Sequence, residues 1–219
     1  MRTETKHYHD LDTPNGGLSL ELPFPMSSIM DYKALLVQIT DIGVTIGYLA
    51  DDEDVANPCE DDAYMGHIYT CRRFSPTLRD YEKARALGDF DGETPDPFAV
   101  SLDVYEHGLV RYSVAGEGMQ CRFDTARGGA VWVPSDELRE ELRELASINK
   151  ELVWPRMKEL AKQACETYTD WCNGDCYMAV VASYDLEGDP TDSDTCGHLI
   201  GGDSAYECLK SDYFPSEAS

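Results

Sequence analysis

Apolar and polar residues alternate with a period of two in several short runs, and recur every three to four residues in others. The first kind predicts strands over 34–40, 43–50, 66–73, 98–105, 109–114, 128–133, 177–184 and 196–200. The runs 98–105 and 109–114 flank Glu106-His107-Gly108 and read as a hairpin. Helical spacing predicts a helix over 77–87, begun near Ser75-Pro76, and another after Pro134 with Ser135 as N-cap. Asp136 and Glu137 occupy its dipole-favoured first turn, and Leu138, Leu142 and Leu145 share one face. A longer helix from about Pro155 to Trp171 places Met157, Leu160, Ala161, Ala164, Tyr168 and Trp171 on a core face, and a short one covers 203–210. Residues 1–30 read as an irregular arm with a turn at Pro14-Asn15-Gly16-Gly17 and a possible short strand over 18–22. Residues 88–97 read as a loop, 185–194 as an acidic hairpin loop and 213–219 as a disordered tail. Strands in runs, without regular βαβ alternation, predict an α+β fold. Its mostly antiparallel sheet packs with two or three helices in a single acidic domain, 31–212.

Charge changes this picture most. The 219 residues hold 42 Asp and Glu against 18 Lys and Arg, a formal charge of −24, yet 13 Tyr, 6 Phe and 3 Trp suffice for a core. Such a field repels nucleic acid and anionic membrane, so direct nucleic-acid binding and membrane association are disfavoured. A basic protein surface is the natural complement. A solubility surface or salt adaptation gives the same composition, although eight Cys and seven Met weigh against the latter. The acidic groups recur at 51–62, 89–96, 136–144 and 185–194 rather than in one tail. The candidate partner-binding residues are Asp51, Asp52, Glu53, Asp54, Glu60, Asp61, Asp62, Asp189, Asp192 and Asp194. Carboxylates held on strand edges and helix faces can follow the phosphate spacing of DNA, about 3.4 Å along the axis per strand, and so fill a DNA-binding groove.

The remaining chemistry is sparser. No secretory signal and no apolar run of membrane-spanning length occur, so the protein is expected in the cytosol with reduced thiols. Cys172 and Cys176 bracket a turn, with Cys165 upstream and Cys196-Gly197-His198 downstream. They offer zinc ligands in principle, but their spacing favours buried free thiols. No metal and no cofactor is expected. His107 with Cys121 or Cys196 would make a nucleophile and base only if the fold joined them. The series Asp185, Glu187, Asp189, Asp192, Asp194 lacks the glycine and closing glutamate of a calcium loop, and Pro190 interrupts it. Phosphate-loop and dinucleotide fingerprints are missing. His7-Tyr8-His9 reads as a mobile polar tail.

Several segments resemble, in order, a family of uncharacterised proteins from phages and mobile elements. They are Tyr105-Glu106-His107-Gly108, Phe123-Asp124, Glu166-Thr167-Tyr168, Gly174-Asp175-Cys176-Tyr177 and Asp194-Thr195-Cys196-Gly197 with Gly201. Asn57-Pro58 and Arg72-Arg73-Phe74 resemble that family's acidic turn and Arg-Arg-Tyr strand. The sequence departs from it at Thr125-Ala126, where the family carries Ser-Gly, at Phe123 in place of Trp, and at His198 in place of an aromatic residue. The resemblance implies a phage or plasmid origin and a host-cytoplasm setting; it brings no activity and no catalytic residues.

Charge and implied origin together lead to an inhibitor of a host nucleic-acid-binding defence complex, of anti-restriction or anti-CRISPR type. It would act by DNA mimicry or by covering a basic channel. Two rivals belong to other classes: an enzyme using Cys196, His107 and Asp124, and an acidic structural or virion-accessory protein.

Overall fold

The computed structural model describes residues 6–14, 16–28, 35–59, 64–70 and 97–214. It is an α+β structure whose sheets are antiparallel throughout. The helix expected over 77–87 and most of the loop after it lie outside the described residues, as do 71–73 of the third predicted strand. The chain divides into two compact units. The first joins the two ends of the chain, Met1–Ala56 and Gly174–Ser219, and the second is Asn57–Asn173.

In the first unit, β1 (His7–Thr13) and β2 (Gly16–Leu22) form a hairpin. The stretch read as an irregular arm thus holds two paired strands, and His7 and His9, read as a mobile tail, sit in β1 opposite Leu22 and Leu20. A four-stranded sheet follows in the order β10-β9-β4-β3, from β3 (Leu36–Ile39), β4 (Val44–Asp51), β9 (Cys176–Tyr184) and β10 (Pro190–Ile200). β4 and β9 pair in continuous register from Val44↔Tyr184 to Asp51↔Tyr177. Their side chains alternate between two cores. Val44, Ile46, Tyr48, Val180, Ala182 and Tyr184 pack with Leu20 and Leu22 of the hairpin. Leu49, Tyr177 and Ala179 pack on the other face with Ala205 and Leu209 of the C-terminal helix Gly202–Tyr213. Burial on both faces is why β4 reads as a near-continuous apolar run.

Two buried tyrosines tie the hairpin side to the sheet through their polar tips. The Tyr48 hydroxyl donates to Phe24 O at 2.8 Å, and the Tyr184 hydroxyl to Glu21 O at 2.8 Å. Burial, aided by the Glu21 charge, pushes the Tyr184 phenol up to about 12, so it remains a donor at any physiological pH. On the opposite face the helix lies close. A Cβ added to Gly47 would fall 2.3 Å from Phe214 Cε2 and 3.2 Å from Leu209 Cδ1, so only glycine admits this approach. Phe214, assigned by pattern to the tail, is therefore part of the packed unit; 215–219 lie outside the described residues.

The second unit has a sheet in the order β5-β8-β6-β7, from β5 (His67–Thr70), β6 (Val100–His107), β7 (Leu109–Val114) and β8 (Thr125–Val133). Two helices cover one face: α1 (Asp136–Ile148) and, after a 3-10 turn at Lys150–Leu152, α2 (Val153–Asn173). The helix Gly202–Tyr213 is α3. Ser135 caps α1 by accepting from Leu138 N, as its position predicts. Leu138, Leu142, Met157, Leu160, Ala161, Ala164 and Tyr168 enter the core with Ile68, Leu102, Tyr112 and Trp132. α2 begins two residues before Pro155, whose missing N–H falls in the first turn, where no intrahelical partner exists. The outer edge of β7 is closed by α2. Asn173 bonds both Val110 N and Val110 O at 2.9 Å, and Thr169 Oγ1 accepts from Tyr112 N at 3.0 Å. Side chains there do the work of a further strand. No described helix is long and apolar enough to cross a membrane.

On the far face of this sheet lies a buried carboxylate, Asp103, only 3% exposed. It accepts from Gly116 N at 2.8 Å, Gln120 Nε2 at 2.8 Å and Gly128 N at 2.9 Å, and so ties the 115–124 connection to the first half of β8. Burial alone would raise this carboxyl. The three donors and the Arg127 charge outweigh burial and hold it below its ordinary value. A depressed carboxylate contributes stability above the unfolded value of about 3.9, and that contribution is lost as pH falls through the folded value. Asp103→Ala is expected to cost about 1–3 kcal/mol in urea unfolding at pH 7, by leaving buried donors unpaired. The gap between variant and parent should close as the pH is taken below 4, roughly where the unfolded carboxyl titrates.

Candidate functional site

The charge is divided unevenly between the units. Over its two segments the first unit carries twenty acidic residues and four basic ones, a net −16, and the second carries the remaining −8. The acidic face of α1, one of the predicted stretches, is largely paired from within. Arg139 meets Asp136 at 3.8 Å and Arg143 meets Glu140 at 3.1 Å. Arg156 bridges Glu141 at 2.8 Å and Glu159 at 3.1 Å. Lys158 and Lys162 both reach Glu117, Lys162 at 3.0 Å. In the first unit the ion pair found among the described residues is Lys6–Glu21, at 2.8 Å.

Of the ten candidate residues, seven lie in the first unit, with Asp51, Asp192 and Asp194 in strands of its sheet and the other four in the adjoining turns, and Glu60, Asp61 and Asp62 lie outside the described residues. Asp51 ends β4 opposite Tyr177, and Glu53 and Asp54 form the exposed turn after it. The loop expected over 185–194 is shorter than the acidic composition implies. β10 begins at Pro190, with Asp192 opposite Ser183 and Asp194 opposite Val181. Proline opens the strand at the sheet edge, where its missing donor costs no ladder bond. The turn itself is organised by Asp185, whose Oδ1 accepts from Glu187 N at 3.0 Å and Asp189 N at 2.9 Å. Asp192 and Asp194 are two residues apart on an edge strand, hence about 7 Å apart along it. From Tyr177 to Ser183, the registers of Asp51 and Asp192, β9 runs about 20 Å. That length matches roughly six phosphate steps along one DNA strand.

Asp52 has a different task from its neighbours. It is half-buried, its Oδ1 accepts from Asp54 N at 3.2 Å, and its Oδ2 accepts from His198 N at 2.9 Å. His198 has φ 61, a left-handed conformation rare outside glycine, at the register shift between Cys196 and Leu199. Asp52 takes the N–H at this bulge and so latches β10 beside the end of β4.

The thiols and imidazoles separate by unit. Cys165 and Cys172 belong to α2 in the second unit, whereas Cys176, Cys196 and His198 belong to the first. Among the described residues no group of three or more His, Cys, Asp or Glu is arranged to hold a metal. Burial pushes the Cys59 thiol up to about 12 and Cys165 higher still. Of the residues weighed for an enzyme, His107 and Asp124 do meet, Nδ1 to Oδ2 at 3.6 Å, but the thiol beside them is Cys121 rather than Cys196. Its Sγ donates to Asp124 Oδ2 at 3.1 Å. This sulfur faces the Asp124 carboxylate, a weaker base than the imidazole that ordinarily activates a cysteine nucleophile.

The pattern alone gave no role to Cys208, Asp212 and Tyr213 of α3, which the structure sets against β10. Cys208 Sγ donates to Asp212 Oδ2 at 3.5 Å, Cys196 and Tyr213 pack on the same apolar cluster, and burial, followed by the Asp194 carboxylate, raises the Tyr213 phenol above its ordinary value. The i, i+4 spacing of Cys208 and Asp212 on a predicted helix was the available signal.

No protein-family model, no curated protein and no solved structure matches this chain.

Asp52→Ala is expected to destabilise the protein by about 1–3 kcal/mol and to speed amide exchange at His198. Asp54→Ala, at an exposed position, should stay within about 0.5 kcal/mol of the parent. Equal effects from the two substitutions in urea unfolding would contradict the latch.

Proposed function

We propose that the first unit is a rigid acidic surface that docks onto a basic, nucleic-acid-binding protein and excludes its nucleic acid. The observation that carries this reading is the excess of twenty carboxylates over four cations in one compact unit. Asp51, Glu53, Asp54, Asp189, Asp192 and Asp194 stand exposed at the ends and edge of its sheet. The edge strand fixes the spacing of Asp192 and Asp194 in advance, so little ordering of that strand opposes binding. Opposite charges steer encounter, and release of salt ions makes affinity fall with ionic strength.

The resemblance of the sequence to proteins of phages and mobile elements supports a more specific target: a host defence complex of restriction or CRISPR type, inhibited in the host cytoplasm. The contact set is Asp51, Glu53, Asp54, Asp189, Asp192 and Asp194, with Asp52 acting through the backbone it holds.

Immobilised full-length chain is expected to capture a nucleic-acid-binding complex from bacterial lysate, and duplex DNA should release it. Raising salt from about 50 to 200 mM should weaken capture steeply. Reversing Asp189, Asp192 and Asp194 to Lys should cost roughly tenfold or more in affinity, while reversing Asp136 and Glu140, already paired on α1, should cost little. Salt-independent capture of proteins without nucleic-acid affinity would refute the reading.

A further inference from the structure

The two edges of the four-stranded sheet differ in chemistry. At one edge β10 begins with proline and carries Asp192 and Asp194; at the other, β3 reads Leu36-Val37-Gln38-Ile39 and holds no charge. Charged side chains and proline discourage the addition of a further strand, and β3 has neither. Among the described residues β3 pairs with β4 and with no other strand. Val37 is 40% exposed, Ile39 44% and Ile42, in the turn that follows, 81%. This uncharged, apolar edge is the exception in a unit with a net −16.

The turn fixes which backbone groups face the open side. Thr40 N donates to Gly43 O at 2.9 Å, so Thr40 and Gly43 form the hydrogen-bonded pair that closes it. Hydrogen-bonded and non-hydrogen-bonded pairs alternate along an antiparallel ladder. The register runs Ile39↔Val44, Gln38↔Thr45, Val37↔Ile46 and Leu36↔Gly47, so Gln38 and Leu36 are the residues that bond to β4. Val37 and Ile39 direct their N–H and C=O groups to the open side. Their side chains share the sheet face of their partners Ile46 and Val44.

We infer that β3 pairs antiparallel with β3 of a second copy of this chain, about a two-fold axis at Gln38. Val37 of one copy then lies opposite Ile39 of the other, and each such pair exchanges both N–H···O=C bonds. The edge is its own complement, because the residues with outward groups stand symmetrically about Gln38, as a two-fold interface requires. The pairing covers Val37 with Ile39 on one face and sets the two Gln38 amides side by side on the other. Charge favours a second copy here. β3 has none to oppose it, and β10 lies three strand spacings away, roughly 14 Å, so the two acidic edges end at opposite sides of the joined sheet. So short a pairing buries less than the roughly 1,200 Å² of a stable complex, and the dimer is therefore weak. Salt screens the repulsion between the two acidic units and strengthens it, the reverse of its effect on capture of a basic partner. The inference does not depend on the docking role proposed above.

The test is sedimentation equilibrium of the full-length chain from about 5 to 500 µM, in about 50 and 500 mM salt. A monomer–dimer equilibrium is expected, several-fold tighter in the higher salt. Val37→Pro removes an outward N–H that no bond to β4 uses, so it should abolish the dimer and leave the urea midpoint near the parent's. Gln38→Glu and Gln38→Lys, at an exposed position, each set like charges opposite one another and should weaken association several-fold. Mixing those two variants should restore it, whether or not the proline variant folds. Gln38→Cys, oxidised at high concentration and cleaved after Glu21 and Glu53, should give fragment 22–53 linked to itself, a fragment with no native cysteine. A monomer at every concentration and salt, or a dimer that the Gln38 variants leave intact, would overturn the inference.

Discussion

The pairing of β4 with β9 is the constraint on which the first unit depends. It joins strands from opposite ends of the chain over an eight-residue register, and both strands are buried on two faces. Ile46, Tyr48 and Leu49 are each at most 1% exposed, and full burial of such a side chain contributes about 1.5–3 kcal/mol. The entropy of closing the long intervening chain grows only slowly with its length, so this packed pair can offset it. Once the pair forms, β10 follows along β9, the hairpin covers one face and α3 the other. The acidic turn after β4 and the acidic strand β10 then flank the same central strand. The latch from Asp52 to His198 would not exist without that register.

A net −16 in such a unit opposes compaction through self-repulsion. The fold tolerates it by confining apolar contact to the interior of three layers and leaving the carboxylates at strand ends and an edge, where water and salt screen them. Asp192 and Asp194 also protect the open edge of β10 from pairing with another chain, since charged side chains there disfavour strand addition. The second unit handles its charge differently. Arginine and lysine on its helices pair with most of the acids of α1 and with Glu117, and its deeply buried Asp103 carboxylate is satisfied by three donors. One composition thus yields a unit whose acids are in good part paired and another whose acids are mostly not matched by cations.

Much of the fold was legible in the sequence. The alternation in 98–105 and 109–114 gave β6 and β7, the Ser135 cap fixed the start of α1, and the stripe from Met157 to Tyr168 gave the core face of α2. Each is a local signal, set by the backbone period and by hydrogen bonds within a few residues. The total charge and the candidate acids at 51–54 and 189–194 were legible for the same reason: they can be counted.

What the sequence alone determined, then, was most of the elements and the amount of negative charge. Tertiary structure decided where that charge is left unpaired. Whether an arginine lies beside a glutamate, as Arg156 beside Glu141, depends on packing between helices rather than on spacing. The ladder with β9 drew Pro190–Thr195 into a strand although Asp and Pro have low strand propensity, because backbone pairing in a sheet overrides a weak local preference. The same non-local pairing turned Asp52 into a latch and set Cys196 against the apolar face of α3. Long-range register is not encoded in any one segment, since it emerges only when two segments bury each other.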